Sequence, residues 1–376
     1  MRTQFIDLKE QYARYKNEID SAISRVLEHG QYIMGPEINE LEEKLADYIG
    51  VNHVLSCSSG TDALVLPLMA KNLTREDAIL TSPFTFFASA ESISLAGATP
   101  VFVDIDSNTF NIDPTKLRSQ IQKVISEGKF KPRGILAVDL FGIAADYHQI
   151  NEIASEFNLF VIEDAAQSFA AGYHGRKACS LADVGTTSFY PAKPLGGYGD
   201  SGAVFTDDQA LHEELVSMRV HGQTNAGDKY DNVRIGLNAR MDTIQAAVLL
   251  EKLKIYDHEL ELRNQVANTY TEHLRDLVTT PLVPDNQSSI WAQYSVLSDD
   301  REIIRAALQE KEIPTCVFYP IPIHLSTAYK ELGHVEGDFP VSEAVSKKIF
   351  SLPMHPYLDD KAIQIISDII ATAVSA

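Results

Sequence analysis

The chain has 376 residues, enough to bury a large core and to form two domains. Its 32 basic and 52 acidic side chains give a formal charge of −20, which argues against nucleic acid and anionic membranes as main partners. Three widely spaced cysteines and the lack of a long apolar run predict a cytoplasmic protein with no disulfide framework, no metal site and no membrane span.

Two amphipathic helices are predicted near the start of the chain. Apolar residues recur at helical spacing from Ile19 to Leu27, and Gly30 is a suitable residue to end that helix. A second apolar stripe follows Pro36, a favoured first residue of a helix, and stops at Gly50. We interpret both stripes as faces that pack on the core rather than on a partner.

Short β-rich runs then alternate with segments of helical length. These runs are residues 53–56, 78–82, 100–104, 134–140, 159–163 and 184–190. The alternation predicts an α/β fold with a mostly parallel central sheet and helices on both faces. Because ligands of such sheets bind beyond the carboxyl ends of the strands, the polar residues that follow each run are candidates for a site.

Beyond Asp242 the pattern changes to long helices with short strands between them. Helices are predicted at residues 244–266, 301–311, 343–350 and 361–373, and strands at residues 291–297 and 315–319. The sequence therefore predicts a large α/β domain over residues 1–245 and a smaller α+β domain over residues 246–376.

The first candidate site segment, residues 56–64, joins a predicted strand to a helix that we expect to begin near Asp62. The unpaired N–H groups at a helix start attract anions, and Gly60 and Thr61 lie at this point. Ser59, Thr61 and Asp62 are also common helix caps. The segment by itself therefore fits phosphate binding and simple capping equally well.

Asp164 and Gln167 follow the apolar run of residues 160–162. An acid at this place often only caps a helix. Its alternative role is to keep a pyridine ring nitrogen protonated, which makes the ring a better electron sink.

Lys193 ends the run of residues 184–190, lies between Pro191 and Pro194, and is followed by glycines. Burial disfavours the charged form of a lysine and leaves the nucleophilic amine that Schiff-base chemistry requires. The alternative is a strand-end lysine that extends its ammonium group into solvent. Ser188, five residues earlier, offers a hydroxyl group to a phosphate.

Gly197, Gly199 and Gly202 match the spacing of a dinucleotide-binding fingerprint. That fingerprint must open a helix after the first strand, whereas the strand-like run 202–206 follows here, so we reject it. Asn238 and Arg240 precede the long predicted helix. They are either polar residues of the helix entry or ligands for a carboxylate or phosphate.

Together these segments supply the parts of a pyridoxal phosphate (PLP) site: a phosphate cradle, an acid for the ring nitrogen, a hydroxyl for the phosphate and a lysine. The chain resembles the DegT/StrS family of nucleotide-sugar aminotransferases, which have the aspartate aminotransferase fold (PLP fold type I). The resemblance extends from residue 5 to residue 358. It rests on the motifs at residues 30–36, 59–64, 163–168, 193–200 and 240–247.

The resemblance implies that Lys193 forms the Schiff base with PLP and later moves protons, and that Asp164 pairs with the pyridine nitrogen. Gln167 would lie near the ring hydroxyl, and Phe86 would stack on the ring. The phosphate would be bound by Gly60, Thr61 and Ser188.

The resemblance also implies an obligate homodimer with active sites shared across the interface. Asn238 would reach the phosphate of the other subunit, and Arg240 would contact the sugar carboxylate or the nucleotide there. Tyr319 would lie near the sugar. Phe318 stands where a polar residue, often histidine, is expected, so we expect sugar recognition to differ at this point. Cys57 has no assigned role.

Within the family, the motifs are most similar to a branch that aminates C3 of UDP-2-acetamido-2-deoxy-3-keto-glucuronic acid for bacterial surface polysaccharides, including O-antigen lipopolysaccharide. The substrates implied are this UDP-sugar acid and L-glutamate, with 2-oxoglutarate as product. The alternatives are amination at C3 or C4 of a dTDP- or UDP-linked deoxy-keto sugar, an NAD-dependent enzyme, and a catalytically silent binding protein. Lys193 argues against a sugar dehydratase, because relatives with that activity carry histidine there.

Overall fold

A computed structural model describes residues 3–224 and 230–375 of the chain. Within these residues the helices are α1 (Leu8–Arg14), α2 (Lys16–His29), α3 (Pro36–Ile49), α4 (Gly60–Ala70), α5 (Ala88–Leu95), α6 (Pro114–Glu127), α7 (Tyr147–Phe157), α8 (Gln209–Met218), α9 (Thr243–Leu274), α10 (Arg301–Glu310), α11 (Pro340–Lys348) and α12 (Asp360–Val374). The strands are β1 (His53–Cys57), β2 (Asp77–Thr81), β3 (Thr99–Phe102), β4 (Lys131–Val138), β5 (Phe160–Asp164), β6 (Gly172–Tyr173), β7 (Arg176–Lys177), β8 (Val184–Ser188), β9 (Gly202–Thr206), β10 (Gln287–Ser288), β11 (Tyr294–Leu297) and β12 (Ile349–Leu352).

Seven strands form one central sheet in the order β1-β9-β8-β5-β4-β2-β3. The pairs β8–β5, β5–β4, β4–β2 and β2–β3 are parallel, whereas β9 runs antiparallel to both of its neighbours. The mostly parallel α/β sheet predicted from the sequence is therefore confirmed. The strand β9 begins at Gly202, so the glycine pattern leads into a strand and does not open a helix, as expected.

Both faces of this sheet are buried, because successive residues of a strand point in opposite directions. In β5, Val161 packs with α3, α6 and α7 on one face, and Ile162 packs with α4, α5 and α8 on the other. The same alternation holds for Ile135 and Leu136 of β4. Helices therefore cover both faces, which explains why the inner strands are nearly continuous apolar runs in the sequence.

The long helix α9 connects the sheet to the C-terminal part of the chain. Its first turns place Ala246 and Leu249 in the core beside the sheet. Its later turns place Val266 and Tyr270 in a second core with β11, β12, α10 and α12. α9 continues past its predicted end at residue 266 because no glycine or proline occurs before Pro281. A domain boundary between residues 245 and 246 falls within this helix and stays a prediction.

Three sequence-based predictions for the C-terminal part are wrong in part or in whole. Residues 315–319, all described, form no strand, and only Cys316 pairs with Ser351 in an isolated bridge. Pro314, Pro320 and Pro322 surround this run, and proline cannot donate to a ladder.

The other two errors concern element ends. The predicted strand 291–297 is shortened to β11, because Trp291 has a left-handed φ of 49°, which does not fit an extended strand. The predicted helix 343–350 instead begins at Pro340 and ends at Lys348, and the next four residues form β12, paired with β11. Among the described residues, no helix combines the length and apolarity that a bilayer span requires.

Two acidic side chains are fully buried beside the carboxyl edge of the sheet. Asp139 follows β4 and accepts a hydrogen bond from the Tyr147 hydroxyl at 2.9 Å. Glu163 of β5 accepts hydrogen bonds from the backbone N–H groups of Cys179 and Leu181, at 2.6 and 2.9 Å. Burial raises the pKa of Asp139 to about 7, and burial together with the nearby Asp139 raises the pKa of Glu163 well above its ordinary value. The pair therefore retains a proton near neutral pH.

We predict that Asp139→Asn flattens the pH dependence of stability. The pKa of Asp139 is raised from 3.8 to about 7 by folding, so the folded state binds more protons than the unfolded state between these values, and stability falls as pH rises through them. The asparagine amide does not titrate, and it can donate a hydrogen bond to the Ser168 hydroxyl oxygen. The loss in unfolding free energy between roughly pH 5 and roughly pH 7 should shrink by up to about 1.4 kcal/mol per pH unit.

Urea unfolding at several pH values measures this effect. Asp276→Asn, on an exposed acid after α9, is the matched control and should leave the slope as in the native protein. An Asp139→Asn slope equal to the native one would show that Asp139 is not the group that holds the proton.

Candidate functional site

A cavity of about 780 Å³ opens at the carboxyl ends of the parallel strands. Val138, Asp164 and Ser188, which are the last residues of β4, β5 and β8, line its wall. Eight of the ten residues predicted for the site line this same cavity, namely Gly60, Thr61, Phe86, Asp164, Gln167, Ser188, Lys193 and Tyr319.

One end of the cavity is an anion cradle at the start of α4. The Ser59 hydroxyl caps the helix by accepting a hydrogen bond from Asp62 N–H at 3.0 Å. Since α4 begins at Gly60, two residues earlier than predicted, the first N–H groups of the helix have no partner within it. A Cβ atom on Gly60 would lie 2.5 Å from Cβ of Ser188, so only glycine allows the helix start to approach the end of β8 this closely.

Asp164 presents a buried carboxylate to the cavity. One oxygen accepts a hydrogen bond from the Ser89 hydroxyl at 2.8 Å, and the other accepts one from Ala166 N–H at 3.2 Å. Burial raises the pKa of Asp164, while these two hydrogen bonds and the positive charge of Lys193 oppose the increase. Ser89 in turn lies 3.2 Å from the hydroxyl oxygen of Thr85. These contacts fix the orientation of the carboxylate.

Gln167 and Tyr319 form the next part of the wall. The Gln167 amide donates to the Tyr319 hydroxyl at 2.8 Å, and its carbonyl oxygen accepts from Phe141 N–H at 3.0 Å. Burial raises the pKa of Tyr319, so its hydroxyl stays protonated at neutral pH. The tyrosine therefore keeps a hydrogen that it can donate within the cavity.

Lys193 lies on a tight loop between β8 and β9. Its N–H donates to the Tyr190 carbonyl at 2.8 Å, and a Cβ atom on Gly196 would come within 2.6 Å of the Pro191 carbonyl oxygen. The buried Lys252 of α9 donates to the Gly196 carbonyl at 2.7 Å. The loop is therefore closed on itself and attached to α9, which leaves its backbone little freedom.

The amine of Lys193 is set up for nucleophilic attack. Burial lowers its pKa from 10.5 to about 8, against the opposing effect of the Asp164 carboxylate. No hydrogen bond or ion pair joins its side chain to another residue in the described ranges. More of this amine is therefore unprotonated near neutral pH than for an ordinary lysine, which favours covalent catalysis.

These groups fit the chemistry of PLP. The helix start with Ser188 suits a phosphate, the buried Asp164 suits a protonated ring nitrogen, and Lys193 suits the aldehyde. Phe86 is 59% exposed on the cavity wall, which leaves an aromatic face for a planar ring. The fold and this site together define a PLP-dependent enzyme.

Asn238 and Arg240, the remaining predicted residues, lie beside this cavity rather than in it. They line an adjacent cavity of about 390 Å³ with Ser58 and Gln245, and Asp200 lines both cavities. Nε of Arg240 is buried and has no hydrogen-bond partner among the described residues. Contact of either residue with a cofactor across a dimer interface stays a prediction.

Several cavity residues were missed at the level of sequence. Ser89 and Thr85 stand one helical turn apart, and this spacing of two hydroxyl groups after a β-rich run is the only signal that could have found them. Phe318, already expected to affect sugar recognition, lines the cavity. Gln293 and Cys316, which were not expected there, line it as well. Nothing in their local sequence pattern indicates a site.

The chain belongs to the DegT/DnrJ/EryC1/StrS aminotransferase family, whose model matches residues 13–371. It is 45% identical to the UDP-2-acetamido-2-deoxy-3-oxo-D-glucuronate aminotransferase of Pseudomonas aeruginosa, with 96% of this chain and 98% of the relative covered. The chain is therefore an aminotransferase with PLP as its cofactor.

Solved structures agree with this assignment. A DegT/DnrJ/EryC1/StrS aminotransferase from Brucella abortus is 48% identical and superimposes with a TM-score of 0.95, with 98% of each chain covered. NtdA from Bacillus subtilis, solved with the cofactor PMP, is 26% identical with a TM-score of 0.87, over 99% of this chain and 83% of that one. The fold is PLP fold type I, as predicted.

We predict that Lys193 of the PLP-free protein reacts with an acylating reagent with a midpoint near pH 8. Burial lowers its pKa to about 8, so the reactive amine accumulates well below the ordinary lysine value of about 10.4. Asp164→Asn should move the midpoint lower still, because the carboxylate that stabilises the ammonium form is removed. Mass spectrometry of the labelled peptide gives the extent of reaction at each pH.

Lys44, exposed on α3, serves as a reference within the same protein. Identical pH profiles for Lys193 and Lys44 would contradict the assignment of a buried, activated amine.

Proposed function

We propose that the protein transfers the amino group of L-glutamate to the 3-keto group of a UDP-linked 2-acetamido-2-deoxy-hexuluronic acid, releasing 2-oxoglutarate. The observation that carries this proposal is the convergence of Lys193, Asp164 and the cradle at Gly60 in one cavity. The sugar is suggested by the name of the Pseudomonas aeruginosa relative, which is similar over nearly the whole of both chains.

In the proposed transamination, different residues of this chain have different roles. Bound PLP supplies the electron sink that stabilises negative charge at the reacting carbon. We assign to the Lys193 amine the removal and return of a proton at that carbon, for which a pKa of about 8 is well suited. Asp164, oriented by Ser89, keeps the ring nitrogen protonated, and the N–H groups at the start of α4 with Ser188 hold the phosphate.

The rest of the cavity wall excludes water and positions the substrate. Phe5, Ile6 and Phe318 form an apolar surface beside Tyr319. Since hydrolysis and stray protonation compete with transamination, an apolar wall beside the reacting centre favours the transfer. Gln167, with both ends of its carboxamide engaged, keeps Tyr319 in place and lies near the ring hydroxyl in this proposal.

The charges of the substrate point to a second subunit. Among the described residues that line the cavity, Lys193 is the only cationic side chain, yet a UDP-sugar acid carries three acidic groups. Arg240, with its unpartnered Nε, and Asn238 face the neighbouring cavity. We therefore propose a homodimer in which Asn238 binds the cofactor phosphate of the other subunit and Arg240 binds the sugar carboxylate or the nucleotide there.

We place this activity in the biosynthesis of bacterial surface polysaccharides such as O-antigen lipopolysaccharide. A nucleotide sugar is made and used in the cytoplasm, and the three cysteines are all free thiols, as a reducing compartment favours.

The first test is the visible spectrum of the PLP-loaded protein during addition of UDP-2-acetamido-3-amino-glucuronic acid, the product of the proposed reaction. The reverse half-reaction should convert bound PLP to PMP, with loss of the violet band. Lys193→Ala should lower the turnover rate by at least about 1,000-fold, because the proton-transfer group is lost. Lys44→Ala is the control for a lysine outside the site.

Other outcomes separate the alternatives. If glutamate converts the cofactor but the UDP-sugar acid does not, the enzyme aminates a different sugar, and dTDP- and UDP-linked deoxy-keto sugars aminated at C3 or C4 are screened next. A saturable nicotinamide titration would support an NAD-dependent enzyme instead. Failure to take up PLP would indicate a silent binding protein, and substantial multiple turnover by Lys193→Ala would refute the mechanism.

Active-site sharing gives a separate prediction. Lys193→Ala and Asn238→Ala should each be nearly inactive as homodimers. Co-expression of the two variants should restore about a quarter of the native activity, because half of the randomly formed dimers then contain one intact site. Mixing Lys193→Ala with Ser188→Ala is the control, since both residues line the same cavity of one chain and one subunit must supply both.

If Asn238→Ala co-expressed with Lys193→Ala yields no more activity than this control, each site is complete within one chain. The assay uses a PLP concentration that saturates the native protein but at which the Asn238→Ala and Ser188→Ala homodimers stay nearly inactive.

A further inference from the structure

Gln293 lies in the wall between two cavities. One is the 780 Å³ cavity that contains Lys193, and the other is a small space of about 20 Å³ lined by Phe110, Phe141 and Trp291. The backbone at Gln293 is well held, because it directly precedes β11 and its neighbours Ala292 and Tyr294 are both buried. Tyr294 packs into the C-terminal core, so the alternating direction of side chains turns Gln293 toward the cavities.

The carboxamide of Gln293 has no partner. Its Oε1 is buried without a hydrogen bond, and no side-chain hydrogen bond joins Gln293 to another residue in the part of the chain described. Gln167, on the same cavity, differs in this respect, since both ends of its carboxamide are paired with protein groups. A shielded amide without partners is costly, and it is expected where a ligand supplies the missing bonds.

Gln293 is the only carboxamide without a hydrogen-bond partner among the described residues that line this cavity. Phe5, Phe318 and the thiol-bearing Cys316 line the same cavity and offer at most weak hydrogen bonds. Tyr319 already accepts a bond from Gln167. Of the two carboxamides that line the cavity, Gln293 is therefore the one that is free to pair with a ligand group.

We propose that Gln293 recognises the 2-acetamido group of the sugar and so determines specificity for 2-acetamido sugars over 2-hydroxy sugars. This inference rests on the proposed sugar aminotransferase function. An acetamido group presents one N–H and one carbonyl oxygen, and a carboxamide pairs with both, whereas a hydroxyl group can pair with only one end at a time. Sites built to hydrogen-bond a substrate group reject analogues that lack it much more strongly than apolar pockets do.

The test compares two ligands on matched variants of the PLP-loaded protein by calorimetry. The ligands are UDP-2-acetamido-3-amino-glucuronic acid and the analogue with a 2-hydroxyl in place of the acetamido group. Both are measured on a Lys193→Ala background to prevent turnover. Without the Gln293 change, the acetamido ligand should bind at least about 10-fold more tightly.

Gln293→Leu, similar in size and without polar atoms, should weaken the acetamido ligand by about 10-fold or more and leave the hydroxy ligand nearly unchanged. The ratio of the two affinities then falls toward one. Gln293→Glu keeps the acceptor and loses the donors, and it should reduce the ratio as well. Gln309→Leu, an exposed glutamine on α10, is the control and should preserve the ratio.

A purely structural role would weaken both ligands together, so an unchanged ratio in both Gln293 variants overturns the inference while leaving the aminotransferase assignment intact. If Gln293→Leu does not fold, Gln293→Glu alone decides, because it preserves the shape of the side chain. If neither ligand binds in the presence of native Gln293, the proposed sugar is wrong and the role of Gln293 is refuted with it.

Discussion

The site depends on keeping the amine of one lysine partly buried and partly unprotonated without destabilising the fold around it. The loop after β8 achieves this with backbone contacts, since Lys193 N–H bonds back to Tyr190 and Gly196 packs directly on the Pro191 carbonyl. α9 completes the arrangement through Lys252, which bonds to the Gly196 carbonyl. These contacts fix the backbone from which the Lys193 side chain extends into the cavity.

The buried acids near the carboxyl edge of the sheet have different roles because their surroundings differ. Asp164 has a hydroxyl, a backbone N–H and the charge of Lys193 to stabilise its negative form, which suits a carboxylate that must stay ionised beside a ring nitrogen. Asp139 and Glu163 are instead enclosed in the core, where burial raises the pKa of both and the nearby Asp139 raises that of Glu163 further. Because side chains alternate along a strand, Glu163 points into the core and the next residue, Asp164, points into the cavity.

Whether a site residue could be predicted from the sequence depended on how far along the chain its partners lie. Asp164 and the cradle at Gly60 could be found because a parallel sheet brings the ends of its strands to one edge, so local patterns predict a shared location. The bond of Ser89 to Asp164 was not predicted, since the two residues are 75 positions apart and only the tertiary fold joins them. The strand predicted at residues 315–319 failed for a related reason, because β-rich composition there is overridden by the prolines on both sides.

The cavity therefore combines two kinds of wall with separate origins. The wall that suits the cofactor comes from the strand ends and helix starts of the sheet, where geometry leaves few choices of residue. The second wall comes from the chain around Gln293 and Phe318, which is irregular and attached to the C-terminal core. A change of side chain there alters the surface offered to the sugar without moving Lys193 or Asp164. Differences in sugar preference within one fold are thus expected to arise on this second wall, and an unpaired carboxamide on it is consistent with that division.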